Sequence, residues 1–271
     1  MSLAARIAEI DRAFSGTIGV TAINLTHEEW LNYNGTLSFP PASTVKLPVL
    51  CEVFRGAGEG RWSLDDQLTL TAGNVVEGSG VLLDLTPGLR LSIRDVATLM
   101  IVLSDNTATN MLIDLVTAQA VNHSLQEWGI AGVQINRKIG MNMEIPLGEA
   151  TPAGMARLME LIARHELLPP QDCIAMIDIL KRQKYKELTN RFIPETDNED
   201  DAPAVRIASK SGWVRGTRND VAVIWAPKAT YVLSMFSKGC KDRRFYHDNE
   251  AAIALARISQ AVYEEWGKLH V

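Results

Sequence analysis

Apolar and polar positions along this chain change their period twice. The opening "MSLAARIAEIDRAF" is helical, with Ala5, Ile7, Ile10 and Phe14 near one face. "TIGVTAINL" then reads as a strand carrying Ile18, Val20 and Ile23, "THEE" as a turn, and "WLNYNGTLSFPP" as a second strand closed by prolines. From Thr44 to about Lys186 the apolar spacing becomes helical. "TVKLPVLCEVFRGAGEGR" is a helix broken by glycines, with Pro48 near its first turns. "LSIRDVATLMIVLSDNTATNMLIDLV" holds two helices meeting at Ser104-Asp105-Asn106, and Ser92 with Asp95 resembles a capping box. "TPAGMARLMELIARHELL" places Thr151 as N-cap and Pro152 at the first helical position, and "PPQDCIAMIDILKRQKY" continues as a helix. Strand texture returns in "VRIASKSGWV", "DVAVIWAP" and "TYVLSMFSKG", and "NEAAIALARISQAVYEEWGKL" is a closing helix.

This order predicts an α+β fold, an α/β sandwich. A five-stranded antiparallel sheet is built from both ends of the chain and carries the terminal helices, with an all-α lobe inserted between. Residues 1–42 and 187–271 form the sheet lobe, and 43–186 the all-α lobe. The acidic, turn-rich "IPETDNEDDAPAV" at 193–205 is an exposed, solvated loop leading back to the sheet.

Composition narrows the function by exclusion. The 271 residues are 46% hydrophobic with a formal net charge of -5, so no basic surface calls for nucleic acid. No apolar run approaches the roughly 20 residues needed to span a bilayer. Cys51, Cys173 and Cys240 are far apart, which argues for buried thiols over a disulfide framework or a zinc site. Five scattered histidines have no metal spacing, and no phosphate-cradling glycine loop or Gly-x-Ser-x-Gly appears, so neither metal nor cofactor is expected. Helical periodicity begins at once, without a signal peptide. The chain is therefore cytoplasmic, or periplasmic or secreted after removal of a signal, and we expect it to act as a monomer.

Three short motifs carry chemistry, and each alone has a plain structural alternative. Ser43-x-x-Lys46 is the one Ser-x-x-Lys in the chain. On a helix it puts both side chains on one face. A lysine kept dry loses its proton far below its usual pKa of about 10.4 and can accept one from a serine. The same pair could be a helix cap beside an exposed lysine. Ser104-Asp105-Asn106 offers a hydroxyl and an amide at a helix junction, or simply a cap. Lys210-Ser211-Gly212 puts a cation on a strand where the glycine would admit a substrate backbone, or an edge lysine beside a bulge.

Together, in this order and on these elements, the three match the Ser-x-x-Lys, Ser-Asp-Asn and Lys-Thr-Gly signature, with Ser211 for Thr. The chain thus resembles the class A β-lactamases among the penicillin-recognising serine hydrolases. The likeness extends through "PASTVKLPVL", "GSGVLLDLTPGLRLSIRDVATLMIVLSDNTATNMLID", "TPAGMARLM" and "KSGWVRGTRNDVAVI". It implies a serine acyl hydrolase that opens β-lactam amides through an acyl-enzyme on Ser43. Lys46 would take the Ser43 proton, and Ser104 would relay one to the leaving nitrogen. Asn106 would hold the substrate amide. Lys210 and Ser211 would bind its carboxylate, with Gly212 beside them. The N–H groups of Ser43 and Trp213 would form the oxyanion hole, and Arg218, or else Arg215, would add positive charge. The substrate would be a β-lactam or an acyl-D-Ala-like compound.

One element of the family pattern is missing. Class A β-lactamases carry Arg-x-Glu-x-x-Leu-Asn on a loop, whose glutamate activates the water of deacylation. Here the stretch is "INRKIGMNMEIPLGEATP". Arg137 and Asn142 match its ends one residue short, and Ile139 stands where the glutamate should be. Glu144 and Glu149 are near but out of register. Glu144, with Met141 and Met143 just before it, is the closest candidate for a displaced base. Slow deacylation is therefore expected. A D-alanyl-D-alanine carboxypeptidase or esterase, or a penicillin-trapping binding protein, are the competing outcomes on the same machinery.

Overall fold

The computed structural model describes residues 1–140, 144–195 and 205–269. Its centre is an antiparallel sheet of β1 (Thr17–Asn24), β2 (Glu29–Tyr33), β7 (Arg206–Val214), β8 (Thr217–Trp225) and β9 (Thr230–Lys238), in the order β2-β1-β9-β8-β7. The last three strands pair residue by residue around tight turns, with Lys210 opposite Val221 and Trp213 opposite Arg218. The two hairpins join where β1 pairs with β9, Thr17 facing Lys238. Both chain ends thus build one sheet.

Four strands, β1, β7, β8 and β9, are mostly buried on both faces and alternate in which core they enter, while the edge strand β2 is largely exposed. Ile18, Val20, Ala222, Ile224, Leu233 and Met235 pack under α1 (Leu3–Ala13) and α8 (Glu250–Val262). Ile23, Val221, Val223, Val232 and Phe236 enter a second core with the helices of the middle segment. By the same alternation Ala208, Lys210 and Gly212 face those helices.

The middle segment is helical where the spacing predicted: α2 (Lys46–Gly58), α3 (Ile93–Val102), α4 (Asn106–Val116), α6 (Pro152–Ala163) and α7 (Pro170–Lys181). Ser92 accepts from Asp95 N–H at 3.0 Å, and Thr151 from Gly154 N–H at 3.0 Å, as the caps anticipated. Pro48 falls at the third residue of α2, where its missing N–H has no helical acceptor to lose. The segment is not all-α, however. It also holds two short antiparallel pairs, β3 (Gln67–Thr69) with β4 (Arg90–Ser92) and β5 (Val133–Ile135) with β6 (Gly148–Ala150). It holds a further helix too, α5 (Ala118–Glu127), whose start is fixed by Thr117 accepting from Ala120 N–H. Runs of three residues are too short for a period to register. We keep the two-lobe division as a proposal, with α6 at the boundary, because α6 packs directly on β1 and β9. The 193–205 loop falls, apart from its ends, outside the described residues. Cys51, Cys173 and Cys240 are buried free thiols. Among the described residues no helix is long and apolar enough to cross a membrane.

Candidate active site

Ser43 lies in a single 3-10 turn, Ala42–Val45, that runs into α2 at Lys46. Its side chain caps neither element. Ala42 before it sits at φ +47°, a left-handed conformation that costs a residue with a Cβ about 1 kcal/mol or more. Two contacts hold the turn in place. The amide of Asn219 on β8 donates to Pro40 O at 2.8 Å and Pro41 O at 3.1 Å. Gly212 on β7 presses against the turn itself: a Cβ there would come within 2.7 Å of Ser43 N and 2.8 Å of Thr44 N. The expectation that Gly212 makes room for a substrate backbone is thus corrected. The room it leaves is filled by the backbone of the serine turn.

Two lysines converge on one hydroxyl. Lys46, fully buried, donates to Ser104 Oγ at 3.0 Å, Ser104 O at 2.5 Å and Asn106 Oδ1 at 2.8 Å. Lys210, also fully buried, donates to Ser104 Oγ at 3.2 Å and Ser211 O at 2.7 Å. Burial drives the Lys46 pKa well below its ordinary value, and the neighbouring Lys210 charge pushes the same way. Burial also brings Lys210 down to about 7, against the opposing pull of the Asp220 carboxylate. The structure therefore places, one turn from Ser43, an amine whose charged form burial disfavours, beside a second amine brought down to about 7. Ser104 is held at φ +52°, between the end of α3 and the start of α4.

The junction is tied down by Asp105, which caps α4 through Ala108 N–H at 2.8 Å and accepts from Val81 and Leu82 N–H at 2.7 and 2.9 Å. This draws the loop around Ser79 over the site. Asn106 donates to Glu77 O at 3.1 Å while its carbonyl faces Lys46. One turn along α4, Asn110 clamps the loop that should carry the deacylation base. It donates to Ile139 O at 3.0 Å and accepts from Ile139 N–H at 2.8 Å. Ile139 is therefore the residue this loop pins against the Asn106 face of the helix. Glu144 is exposed and absent from the pocket lining, and Glu149 is exposed and accepts from Ser38 at 2.9 Å. Sequence proximity brought neither carboxylate to the serine. Met141, Asn142 and Met143 lie outside the described residues.

Arg218 departs from expectation. It is 1% exposed. Its guanidinium donates to Val214 O, Thr217 O and Arg244 O, at 3.0, 2.8 and 2.6 Å. Two rings pack against it, Trp213 at 5.2 Å and Phe245 at 5.0 Å from centroid to guanidinium carbon. Here it braces the wall of the site instead of offering a free charge. Arg215 is exposed on the β7–β8 turn.

Between these parts lies a cavity of about 190 Å³. Four serines, Ser43, Ser79, Ser104 and Ser211, line it together with three aromatic residues, Tyr185, Trp213 and Phe245. Ser79, Tyr185, Phe245, Asn110 and Asn219 were not singled out in the sequence. They come from loop, helix and strand positions with no local pattern.

The arrangement has close relatives. A family model described as the beta-lactamase enzyme family matches residues 2–266. A beta-lactamase from Sphaerobacter thermophilus is 33% identical, with 97% of this chain and 96% of that one aligned at a TM-score of 0.87. PBP-A is 30% identical over 96% of this chain and 95% of its own, at a TM-score of 0.84. Its L158E mutant, 29% identical, was solved as an acyl-enzyme complex with penicillin G. Beta-lactamase 3 of Bacillus cereus is 24% identical over 91% of this chain and 77% of its own length.

Proposed function

The chain belongs to the beta-lactamase enzyme family, and from that premise we propose that it acylates itself on Ser43 with β-lactams and releases the product slowly. It is a serine β-lactamase-like hydrolase; the residue roles and the slow step are our reading. Lys46, whose charged form burial disfavours, takes the Ser43 proton as Oγ bonds to the carbonyl carbon. The oxyanion that forms is met by the N–H groups of Ser43 and Trp213. Ser104 passes a proton to the departing nitrogen as the C–N bond breaks. Lys210 and Ser211 hold the substrate carboxylate, and Asn106 the amide of the acyl half.

One observation carries the reading: Lys46 and Lys210, both fully buried, share the Ser104 hydroxyl beside a pocket that Ser43 lines. The second reading, a D-alanyl-D-alanine-type peptidase, an esterase or a penicillin trap, draws support from the Asn110 clamp on Ile139 and from the outward Glu144. Water at the acyl-enzyme then lacks a base, a loss of roughly 10²–10⁴-fold.

Intact mass spectrometry over time with penicillin G tests this. The expected result is a stable adduct of one penicillin, absent in Ser43→Ala. Rapid turnover with no adduct on quenching would overturn slow release. No adduct and no turnover would overturn the acylation itself.

A further inference from the structure

The aromatic rings that line the cavity have no part in the chemistry above, which uses only the backbone of Trp213. Tyr185 is anchored through its hydroxyl, which donates to Leu103 O at 3.3 Å, and its ring meets that of Trp213 at 5.8 Å and 56°. Trp213 is backed in turn by the Arg218 guanidinium, which also packs on Phe245. Arg218 is fixed by three carbonyls, so the stack Tyr185, Trp213, Arg218, Phe245 is ordered before any ligand arrives. Two of its features are unfinished. Phe245 is 52% exposed, although it lines the cavity and packs on a buried cation. The indole N–H of Trp213 is buried with no acceptor among the described residues. The exposed ring leaves free energy for a ligand to recover.

We propose that Trp213, Phe245 and Tyr185 form a specificity wall for the leaving half of the substrate, selecting carboxylate-bearing groups that also carry a flat apolar ring. The assignment rests on the acylation reading above, because Ser104 and Ser211, which serve the leaving nitrogen and the carboxylate there, line the same cavity. With the carboxylate at Lys210 and Ser211, the apolar surface that the described lining offers the rest of the leaving group is Tyr185, Trp213 and Phe245. A volume of about 190 Å³ is below the roughly 300 Å³ at which pockets begin to take drug-sized ligands. The chamber therefore suits a single ring with its carboxylate.

Two esters that share one acyl half test the wall: N-benzoylglycyl phenyllactate and N-benzoylglycyl lactate. Acylation of Ser43 is followed by intact mass and kcat/KM by product release. The phenyllactate ester is expected to be preferred by about tenfold, the scale of one well-placed aromatic contact. Phe245→Ala, at an exposed position that leaves folding alone, brings the ratio towards one, and Phe245→Tyr keeps it. Equal kcat/KM for the two esters, or a preference unchanged within about twofold in Phe245→Ala, overturns the wall while leaving acylation standing. Failure of both esters and of penicillin to label Ser43 overturns the wall and the acylation reading together.

Discussion

Asn110 holds Ile139 by both of its backbone groups, one turn of helix from Asn106. Residues four apart on a helix share a face. The clamp therefore ties the loop position of Ile139 to the helix that presents Asn106 to Lys46. The residue whose backbone this helix fixes in the loop is thus an isoleucine, with no carboxylate to offer.

Replacing Ile139 by Glu should install the missing base. Deacylation of a penicillin adduct is expected to quicken by at least about tenfold, within the range of general-base catalysis, with acylation little changed. Stopped-flow acylation and the decay of the adduct mass separate the two steps. Glu144→Gln should leave both unaltered, because Glu144 points to solvent.

Lys210→Ala should weaken the capture of carboxylate-bearing substrates by about 1.5–3 kcal/mol, the loss of a charge-assisted hydrogen bond. Neutral esters with the same acyl group should lose much less. A comparison of kcat/KM on the two classes measures the difference, and equal losses would remove Lys210 from carboxylate binding.

Capture of the same anionic substrates should fall with rising pH. The protonated form of Lys210 is the one that binds, and its pKa is brought down to about 7. Binding is therefore present below that value and lost as pH rises through it. kcat/KM reports the free enzyme, so the limb belongs in its profile. Asp220, fully buried and itself raised to about 6, is the group that pulls Lys210 upward. Asp220→Asn should move the alkaline limb to lower pH, and neutral esters should show no such limb.

Gly212→Ala should be costly although the change is one methyl group. Its Cβ would lie 2.7 Å from Ser43 N, against backbone that cannot rotate away. Overpacking of this kind costs about 1–3 kcal/mol in stability. A displaced nucleophile should cost about 10²-fold in acylation. Urea unfolding and the rate of adduct formation would register the two separately.

Much of this could be read along the chain because the informative signals were local. The strands at 206–238 announce themselves by β-branched runs, Thr151-Pro152 marks a helix start, and Ser43, Lys46, Ser104 and Lys210 sit in motifs a few residues long. What was hidden depends on tertiary packing. Arg218 looked like a free cation because sequence does not reveal that Val214, Thr217 and Arg244 carbonyls would claim its donors. Gly212 looked like space for a ligand until the Ser43 turn filled it. The aromatic wall draws on three separated segments, and no spacing rule joins Tyr185 to Trp213 or Phe245.

The contact between Gly212 and the Ser43 turn also bears on how the protein comes into being. The nucleophile leaves the ribosome early, and the strand that completes its surroundings is made much later. Domains fold as units as synthesis proceeds, yet no early portion of this chain owns a reactive centre. A nascent chain should carry an inert serine until β7 docks, so labelling of Ser43 by a β-lactam would report, in a single covalent event, that the last strands have reached their places.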